Sequence, residues 1–277
     1  MPWPSSASCC ASNTSWFSPL KPISTAGGPV RHPGQLDVRI DSKIFRSADG
    51  AATQVLCGLG FTLSPGSFTC LIGPSGCGKT TTLRIVLGLD RDFAGKVTLS
   101  PPGLRMAAVF QEPRLLPWRT VEQNVRLALP PEEQGPGAAP DLDALFAVLG
   151  LKDLRARYPD ELSVGLARRV ALARAFAVMP DLLLLDEPFV SLDEHIADRL
   201  RHHLLQLWQA RAATVLMVTH NVREAARLAD RLLLLNGRPA RLVGDVAVPV
   251  ARAARGSEAL GRFLDDLTRE FPETVLA

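Results

Sequence analysis

Eight residues in the first third of the chain constrain its fold more than any other feature. Residues 73–80, GPSGCGKT, match the phosphate-binding loop pattern G-x-x-x-x-G-K-[ST]. An apolar run at 68–72 precedes the loop, and a segment with a helical pattern, 81–88, follows it. The backbone N–H groups of such a loop and the N-terminus of the following helix attract phosphate oxygens together. The stretch therefore predicts a nucleotide-binding loop between a strand and a helix.

Two side chains of this loop have specific expected contacts. The Lys79 ammonium would reach the β- and γ-phosphates, and the Thr80 hydroxyl would ligate Mg²⁺. Cys77 also permits a redox switch, although a small residue in a permissive position is the simpler interpretation. The predicted nucleotide-contacting residues of this region are Gly73, Pro74, Ser75, Gly76, Cys77, Gly78, Lys79, Thr80 and Thr81.

Composition narrows the class of protein. With 277 residues, 47% hydrophobic and 21% charged, the chain is typical of a soluble globular protein with a large core. A net charge of +3 is too small to indicate a nucleic-acid partner. No apolar run approaches the roughly 18 residues of a membrane span, so any membrane role is expected to be peripheral. Five cysteines without metal-ligand spacing indicate a reducing cytosol.

The pattern along the chain predicts one α/β domain, residues 35–277, behind a disordered tail, residues 1–34. Short alternating runs within 36–63 predict a small antiparallel sheet that leads into the nucleotide core. The aromatic ring of Phe45 there could stack on an adenine, but a core phenylalanine fits the spacing equally well. Residues 112–178 hold a proline-broken stretch and amphipathic helices, which predict a helical insertion. The predicted fold is a nucleotide-binding core with a mainly parallel sheet, a small antiparallel subdomain and this helical insertion.

Two neighbouring acids follow the most apolar run of the chain. Four leucines at 182–185 indicate a strand covered by helices on both faces, and Asp186 and Glu187 come directly after them. Ligands bind at this end of the strands in α/β sheets, and adjacent buried acids are costly without a function. An acidic pair near the start of a helix, which begins close to Asp193, is the alternative interpretation.

Two further polar residues are predicted at the same edge of the sheet. Gln111 ends the strand at 106–110, and His220 follows the strand at 214–218. An isolated histidine is usually structural, but a position at the carboxyl end of a parallel strand favours a role in the site.

Five stretches in fixed order resemble the ATP-binding cassette (ABC) ATPases of membrane transporters. They are the phosphate loop, Gln111, the segment LSVGLARRVALARA at 162–175, the Asp186–Glu187 pair, and His220. The resemblance covers about residues 36–271. It implies an ATPase that uses ATP and Mg²⁺.

The resemblance also implies a role for each matched residue. Phe45 would stack on the adenine. Asp186 and Gln111 would contact Mg²⁺, and Gln111 would report on the metal and the water to the helical insertion. Glu187 would act as the general base on the attacking water, and His220 would contact the γ-phosphate.

The resemblance also implies a dimer, in which the segment at 162–165 of one subunit acts in the nucleotide site of the other. Two chains sandwich two ATP molecules head to tail, so Ser163 and Gly165 would complete the partner's nucleotide site. The loop at 191–193 resembles the segment that communicates across this dimer. Val164 stands where the family usually has glycine. A cassette that binds ATP and dimerises but hydrolyses it poorly is therefore the alternative function.

The resemblance further implies an importer. Residues 110–121 resemble the nitrate, sulfonate and taurine importers, and aliphatic sulfonate is the substrate that we expect. The implied partners are transmembrane permease subunits, docked at Leu115, Leu116 and Trp118, and indirectly a periplasmic or surface solute-binding protein. The expected location is the cytoplasmic face of the inner membrane. A cassette ATPase acting on nucleic acid or ribosomes is less favoured, because such chains usually carry two cassettes or a long coiled-coil insertion.

Overall fold

The computed structural model describes residues 33–48, 50–133 and 142–275. Residues 1–32 of the predicted disordered tail therefore lie outside the described residues. The last two residues of the tail, 33 and 34, are described. The carbonyl of Gly34 accepts a hydrogen bond of 2.6 Å from the Thr214 hydroxyl, which attaches this point of the chain to the domain.

A six-stranded sheet forms the centre of the domain. Its spatial order is β5-β6-β7-β3-β8-β9, and all neighbours are parallel except the antiparallel pair of β8 and β9. Three of its strands are buried along their whole length, because helices cover one face of the sheet and a helix together with a smaller sheet covers the other. The strands are β3 (Phe68–Ile72), β5 (Met106–Val109), β6 (Leu182–Asp186), β7 (Thr214–Thr219), β8 (Arg231–Asn236) and β9 (Arg241–Ala247). The predicted mainly parallel sheet is confirmed.

A second, antiparallel sheet has the order β2-β1-β4 and is made of β1 (Gln35–Arg46), β2 (Ala52–Leu63) and β4 (Ala94–Ser100). Leu36, Val38 and Ile40 are buried and the residues between them face solvent, as the alternation predicts. The short runs seen in the sequence are parts of two twelve-residue strands. A bulge between Lys43 and Ile44 shifts the pairing register, so the alternation breaks off before β1 ends.

Eight α-helices are present in the described residues: α1 (Lys79–Val86), α2 (Val121–Arg126), α3 (Leu142–Val148), α4 (Val164–Ala177), α5 (Glu194–Arg211), α6 (Val222–Leu228), α7 (Ser257–Glu270) and α8 (Pro272–Val275). None of these helices is long and apolar enough to cross a membrane.

The helical insertion predicted at 112–178 contains α2, α3 and α4. Thr120 begins α2 with a capping box, because its hydroxyl accepts from the Gln123 N–H while the Gln123 side chain accepts from the Thr120 N–H. Helix α4 packs against α2 and α3 on one side and against α5 and β5 on the other. It therefore joins the helical insertion to the sheet core.

Candidate functional site

Four neighbouring strands end at the same level. The register pairs Ile72 of β3 with Thr219 of β7, Val218 of β7 with Asp186 of β6, and Leu185 of β6 with Val109 of β5. The residues that follow these ends, or close them, are Gly73, Gln111, Asp186, Glu187 and His220. The fold thus places the predicted loop, acids and histidine along one edge of the parallel sheet.

Two glycines of the phosphate loop are required by its geometry. Gly78, the N-cap of α1, has φ +96°, a conformation that residues with a Cβ rarely adopt. A Cβ at Gly78 would also lie 2.7 Å from the Leu56 side chain. A Cβ at Gly73 would lie 2.6 Å from the carbonyl oxygen of Leu235. The loop is therefore packed tightly against β8 and β2 on the side away from its ligand.

Lys79 is held over this loop. Its ammonium donates hydrogen bonds to the carbonyls of Gly73 (2.7 Å) and Pro74 (2.8 Å), and the residue is 5% exposed. The charge is thus fixed beside the backbone N–H groups that such a loop offers to phosphate. The neighbouring Cys77 is buried, and burial raises the pKa of its thiol. A protonated thiol is a weak nucleophile, which argues against the redox alternative.

Thr80 and Asp186 meet across the site. The Thr80 hydroxyl donates to a carboxylate oxygen of Asp186 at 3.1 Å. Asp186 is 5% exposed, and burial raises its pKa although the hydrogen bond from Thr80 opposes the shift. A nearly buried carboxylate beside a hydroxyl suits a hard cation such as Mg²⁺, which takes few protein oxygens and completes its shell with water and phosphate. The residues present therefore fit the predicted metal.

Glu187 has a strained backbone and is held at its N–H and at its carboxylate. Its backbone has φ +45°, an unfavourable conformation for a residue with a side chain. Its N–H donates to the Val218 carbonyl at 2.9 Å, and one carboxylate oxygen lies 2.8 Å from Nδ1 of His220. The Glu187 side chain is 17% exposed, whereas that of His220 is 43% exposed. The carboxylate thus sits at the opening of the site, with the histidine on its solvent side.

A buried ion pair behind His220 was not predicted. The hydroxyl of Thr219 donates to Glu224 at 3.2 Å, and Arg201 of α5 donates to the other oxygen of Glu224 at 3.3 Å. Burial raises the pKa of Glu224. In the sequence, Glu224 has only the signal of an acid in the first turn of a helix, and Arg201 lies on a separate helix 23 positions away.

Gln111 and Phe45 lie at the margins of the site. The Gln111 side chain is exposed, two positions beyond the end of β5. The segment after it is held by Arg174 of α4, which donates to the carbonyls of Pro113 (2.7 Å) and Arg114 (2.9 Å). Phe45 is 45% exposed, so it is not a core residue.

Lys43 holds the ring of Phe45. The Lys43 ammonium lies 4.6 Å from the ring centroid, within the range of a cation–π contact. The same ammonium pairs with Asp90 at 2.9 Å. The residue is itself 2% exposed, so this cation is fixed rather than free in solvent.

The segment at 162–165 forms the start of α4. Ser163 is the N-cap and accepts a hydrogen bond from the Leu166 N–H at 3.3 Å. Val164 is the first helical residue and is 60% exposed. Gly165 is buried, and a Cβ there would lie 2.6 Å from the Ile196 side chain. Packing against Ile196 therefore favours glycine at 165, whereas the exposed position 164 accepts a side chain.

Among the described residues, no hydrogen bond joins the segment at 162–165 to the phosphate loop of the same chain. Ser163 and Val164, at the start of α4, are exposed and available to a second molecule, whereas Gly165 behind them is buried. One chain therefore combines a glycine loop of the phosphate-binding pattern, the fixed ammonium of Lys79, a nearly buried carboxylate suited to a cation, and the carboxylate of Glu187 beside His220.

The chain is similar to known proteins over most of its length. A model of the family described as "ABC transporter" matches residues 56–190. The chain is 37% identical to the aliphatic sulfonates import ATP-binding protein SsuB of Bacillus licheniformis, over 86% of this chain and 95% of the relative. It is 43% identical to SsuB 1 of Pseudomonas aeruginosa, over 72% and 83% of the two chains.

A solved structure shares the fold. It is the dimeric ATP-binding cassette MJ0796 bound to ADP and Pi, with a TM-score of 0.64, 24% identity, and coverage of 78% of this chain and all of that one. At this identity the likeness supports the fold alone.

Proposed function

Because the chain belongs to the ABC transporter family, in the group of the aliphatic sulfonate import ATP-binding proteins, we propose that it is the ATP-hydrolysing subunit of an importer for aliphatic sulfonates. One pair of contacts carries the proposal. Thr80 bonds to Asp186, and the next residue, Glu187, contacts His220. These contacts support the proposal, because they bring two oxygens that suit Mg²⁺ close to a carboxylate that could accept a proton, at the end of the phosphate loop.

The proposed chemistry is transfer of the γ-phosphoryl group of ATP to water, which yields ADP and phosphate. The loop N–H groups and Lys79 would bind the β- and γ-phosphates. Thr80, Asp186 and Gln111 would hold Mg²⁺, which when bound would supply further positive charge at the phosphate oxygens. Glu187 accepts the proton from the attacking water while the bond from the γ-phosphorus to the bridging oxygen breaks.

His220 and Phe45 position the two ends of the nucleotide in this proposal. The His220 imidazole lies beside Glu187, where it can donate to a γ-phosphate oxygen through its second nitrogen. The exposed face of Phe45 stacks on the adenine, and the fixed ammonium of Lys43 keeps the ring in place.

The functional unit that we propose is a head-to-tail homodimer with ATP at the interface. Ser163 and Gly165 of one subunit complete the nucleotide site of the other, and the loop at 191–193 lies between the sites. The exposure of the α4 N-terminus supports this role. An anion is favoured there because the first N–H groups of the helix point outward.

Membrane partners follow from the importer function. We propose that permease subunits dock on the helical insertion, where Trp118 is 69% exposed and Leu115 and Leu116 are half-buried. The chain would then act at the cytoplasmic face of the membrane as a peripheral subunit. A solute-binding protein would deliver the sulfonate to the permease from the other side.

The test is magnesium-dependent ATP hydrolysis by the chain with its permease subunits in proteoliposomes, together with uptake of a labelled alkanesulfonate. We expect hydrolysis that requires Mg²⁺ and uptake that requires ATP. Hydrolysis without uptake of any sulfonate would contradict the substrate alone. No hydrolysis by the complete complex would contradict the enzymatic function.

The alternative, a cassette impaired in hydrolysis by Val164, rests on the family's usual glycine. Two observations weigh against it. Val164 lies in helical backbone that needs no glycine, and its side chain points into open space with 60% exposure. Single-turnover hydrolysis in the assembled dimer separates the two functions.

A further inference from the structure

Arg168 is a buried cation with no acidic partner. It lies on α4 one turn after Gly165 and is 7% exposed. Within the described part of the chain it forms no salt bridge, and desolvation by burial lowers its pKa. Its Nε atom is buried and has no hydrogen-bond partner there. Buried charges are normally paired, so this arrangement lowers stability unless it has another purpose.

The surroundings of Arg168 do not compensate for its charge. The guanidinium borders a cavity of about 10 Å³ whose other lining side chains are all apolar, among them Phe110, Leu172, Leu185 and Phe189. A water molecule in so small a space would find no polar side chain except the arginine itself. An apolar residue of similar length would fit this environment better than arginine does.

Within the described residues, the one hydrogen bond of the Arg168 side chain leads to the segment that follows Glu187. Nη1 donates to the carbonyl of Pro188 at 2.7 Å. Pro188 directly follows Glu187, whose left-handed backbone conformation needs support from its surroundings. The N–H of Glu187 and its carboxylate are held by Val218 and His220. On the carboxyl side, the Glu187 carbonyl accepts a hydrogen bond from the Val190 N–H at 3.3 Å, and Arg168 adds a side-chain anchor one residue further along.

Helix α4 therefore contacts the catalytic side of its own subunit at two successive turns. Gly165 packs on Ile196 in the first turn of α5, and Arg168 holds Pro188 one turn later. The N-terminus of the same helix carries the turn that, in the proposed dimer, contacts the partner's nucleotide. Any displacement of this helix would therefore move the donor that holds the Pro188 carbonyl, next to Glu187.

From these contacts we propose that Arg168 is a positioning residue that couples the turn Ser163–Gly165, facing the partner's nucleotide, to Glu187 of its own subunit. The inference rests on the proposed dimeric ATPase. It adds a specific path by which occupation of one nucleotide site aligns the general base of the other. The positive charge and donor of Arg168 are retained for this alignment rather than for stability.

The test compares Arg168→Met with the wild-type chain in the complete importer complex. We expect kcat for ATP to fall about tenfold, KM to stay within about twofold, and the Hill coefficient to fall toward one, because positioning acts on the chemical step and on the coupling of the sites. The melting temperature should be unchanged or higher, since a buried unpaired charge is removed. Arg168→Lys, which keeps the charge and one donor, should recover most of kcat.

Arg211→Met is the matched control. Arg211 also joins α5 to α4 by a bond from its guanidinium to a backbone carbonyl, that of Phe176 at 3.1 Å, but at the far end of both helices. This variant should lower the melting temperature and leave kcat and the Hill coefficient unchanged. A kcat of Arg168→Met within twofold of wild type would overturn the coupling, and so would a fall in kcat that Arg168→Lys does not recover.

A second measurement is independent of hydrolysis. In the chain without nucleotide, amide hydrogen exchange at 189–192, directly after Pro188, should be faster in Arg168→Met, while exchange in α4 stays as in wild type. Unchanged exchange at 189–192 would contradict the anchoring role. Absence of wild-type hydrolysis would instead contradict the proposed enzyme, so the two failures are distinguishable.

Discussion

Nδ1 of His220 lies 2.8 Å from a carboxylate oxygen of Glu187, which joins the ends of two neighbouring strands, β6 and β7. This contact orients the carboxylate from the solvent side, while the backbone of Glu187 is held from the sheet side by Val218. Glu187, which we propose as the general base, is therefore held through both its side chain and its backbone. Preorganisation of this kind means that a change at Glu187 acts on the reaction more than on the fold.

Glu187→Gln should separate ATP binding from hydrolysis. The amide keeps the size of the side chain and a hydrogen bond to His220, but it cannot accept the proton from water. We expect kcat to fall by about 100-fold or more, with nucleotide binding retained. Light scattering after size-exclusion chromatography should show a dimer with ATP and a monomer without it. A monomer at saturating ATP would contradict the proposed dimer.

Asp186→Asn should increase stability and abolish magnesium-dependent hydrolysis. The raised pKa of Asp186 means that the folded protein disfavours the ionised form. This penalty is fully present above the folded-state pKa and disappears as the pH falls toward the ordinary value of an aspartate. The melting temperature without nucleotide or Mg²⁺ should therefore rise at pH 7 and not near pH 4.

The control for this variant is Asp265→Asn, on an exposed position of α7. It should change neither the melting temperature nor hydrolysis. A melting temperature of Asp186→Asn below that of wild type at pH 7 would show that the Thr80 hydrogen bond outweighs the burial of the charge.

Val164→Gly and Gly165→Ala should have unequal effects although the two residues are adjacent. Val164 faces open space from a helical backbone, so glycine there should change kcat by less than about threefold. A Cβ at Gly165 would lie 2.6 Å from Ile196, and this overpacking should destabilise the protein by about 1–3 kcal/mol and weaken ATP-dependent dimerisation. Steady-state hydrolysis and light scattering measure both. A tenfold gain in kcat for Val164→Gly would instead favour the impaired cassette.

The local signals of the sequence were sufficient for the elements that carry the site. Strand ends can be recognised where an apolar run meets a polar residue, as at Asp186 and His220, and parallel strands place such ends at one edge. The phosphate loop follows from spacing alone because two of its glycines are required by close contacts. At these positions the sequence motif and the predicted secondary structure indicate the same arrangement, which is why the fold could be predicted.

The supporting contacts could not be predicted, because they join distant residues without a local pattern. Arg201 and Glu224 are 23 positions apart, and Arg168 and Pro188 are 20 apart. Lys43 precedes a bulge that interrupts the alternation of β1, and its partner Asp90 lies 47 positions further along the chain. Such pairs depend on how helices and sheets are packed. Neither hydrophobic period nor residue type reveals that packing.

His203 should make the protein less stable in mild acid. It lies half-buried on α5 with its Nδ1 buried and unpartnered in the described structure, and burial, with the charges of Arg169 and His202, lowers its pKa to about 4. The unfolded chain, with an ordinary pKa of 6.5, therefore binds more protons between pH 6.5 and 4, so stability falls as the pH drops through this window. Between pH 7.5 and 5 the free energy of unfolding, measured by urea denaturation, should decrease by about 1 kcal/mol less in His203→Leu than in wild type. The exposed neighbour His202 offers the control. His202→Gln should keep most of the wild-type dependence of the unfolding free energy on pH. An unchanged pH dependence in His203→Leu would mean that the imidazole is solvated in the folded protein.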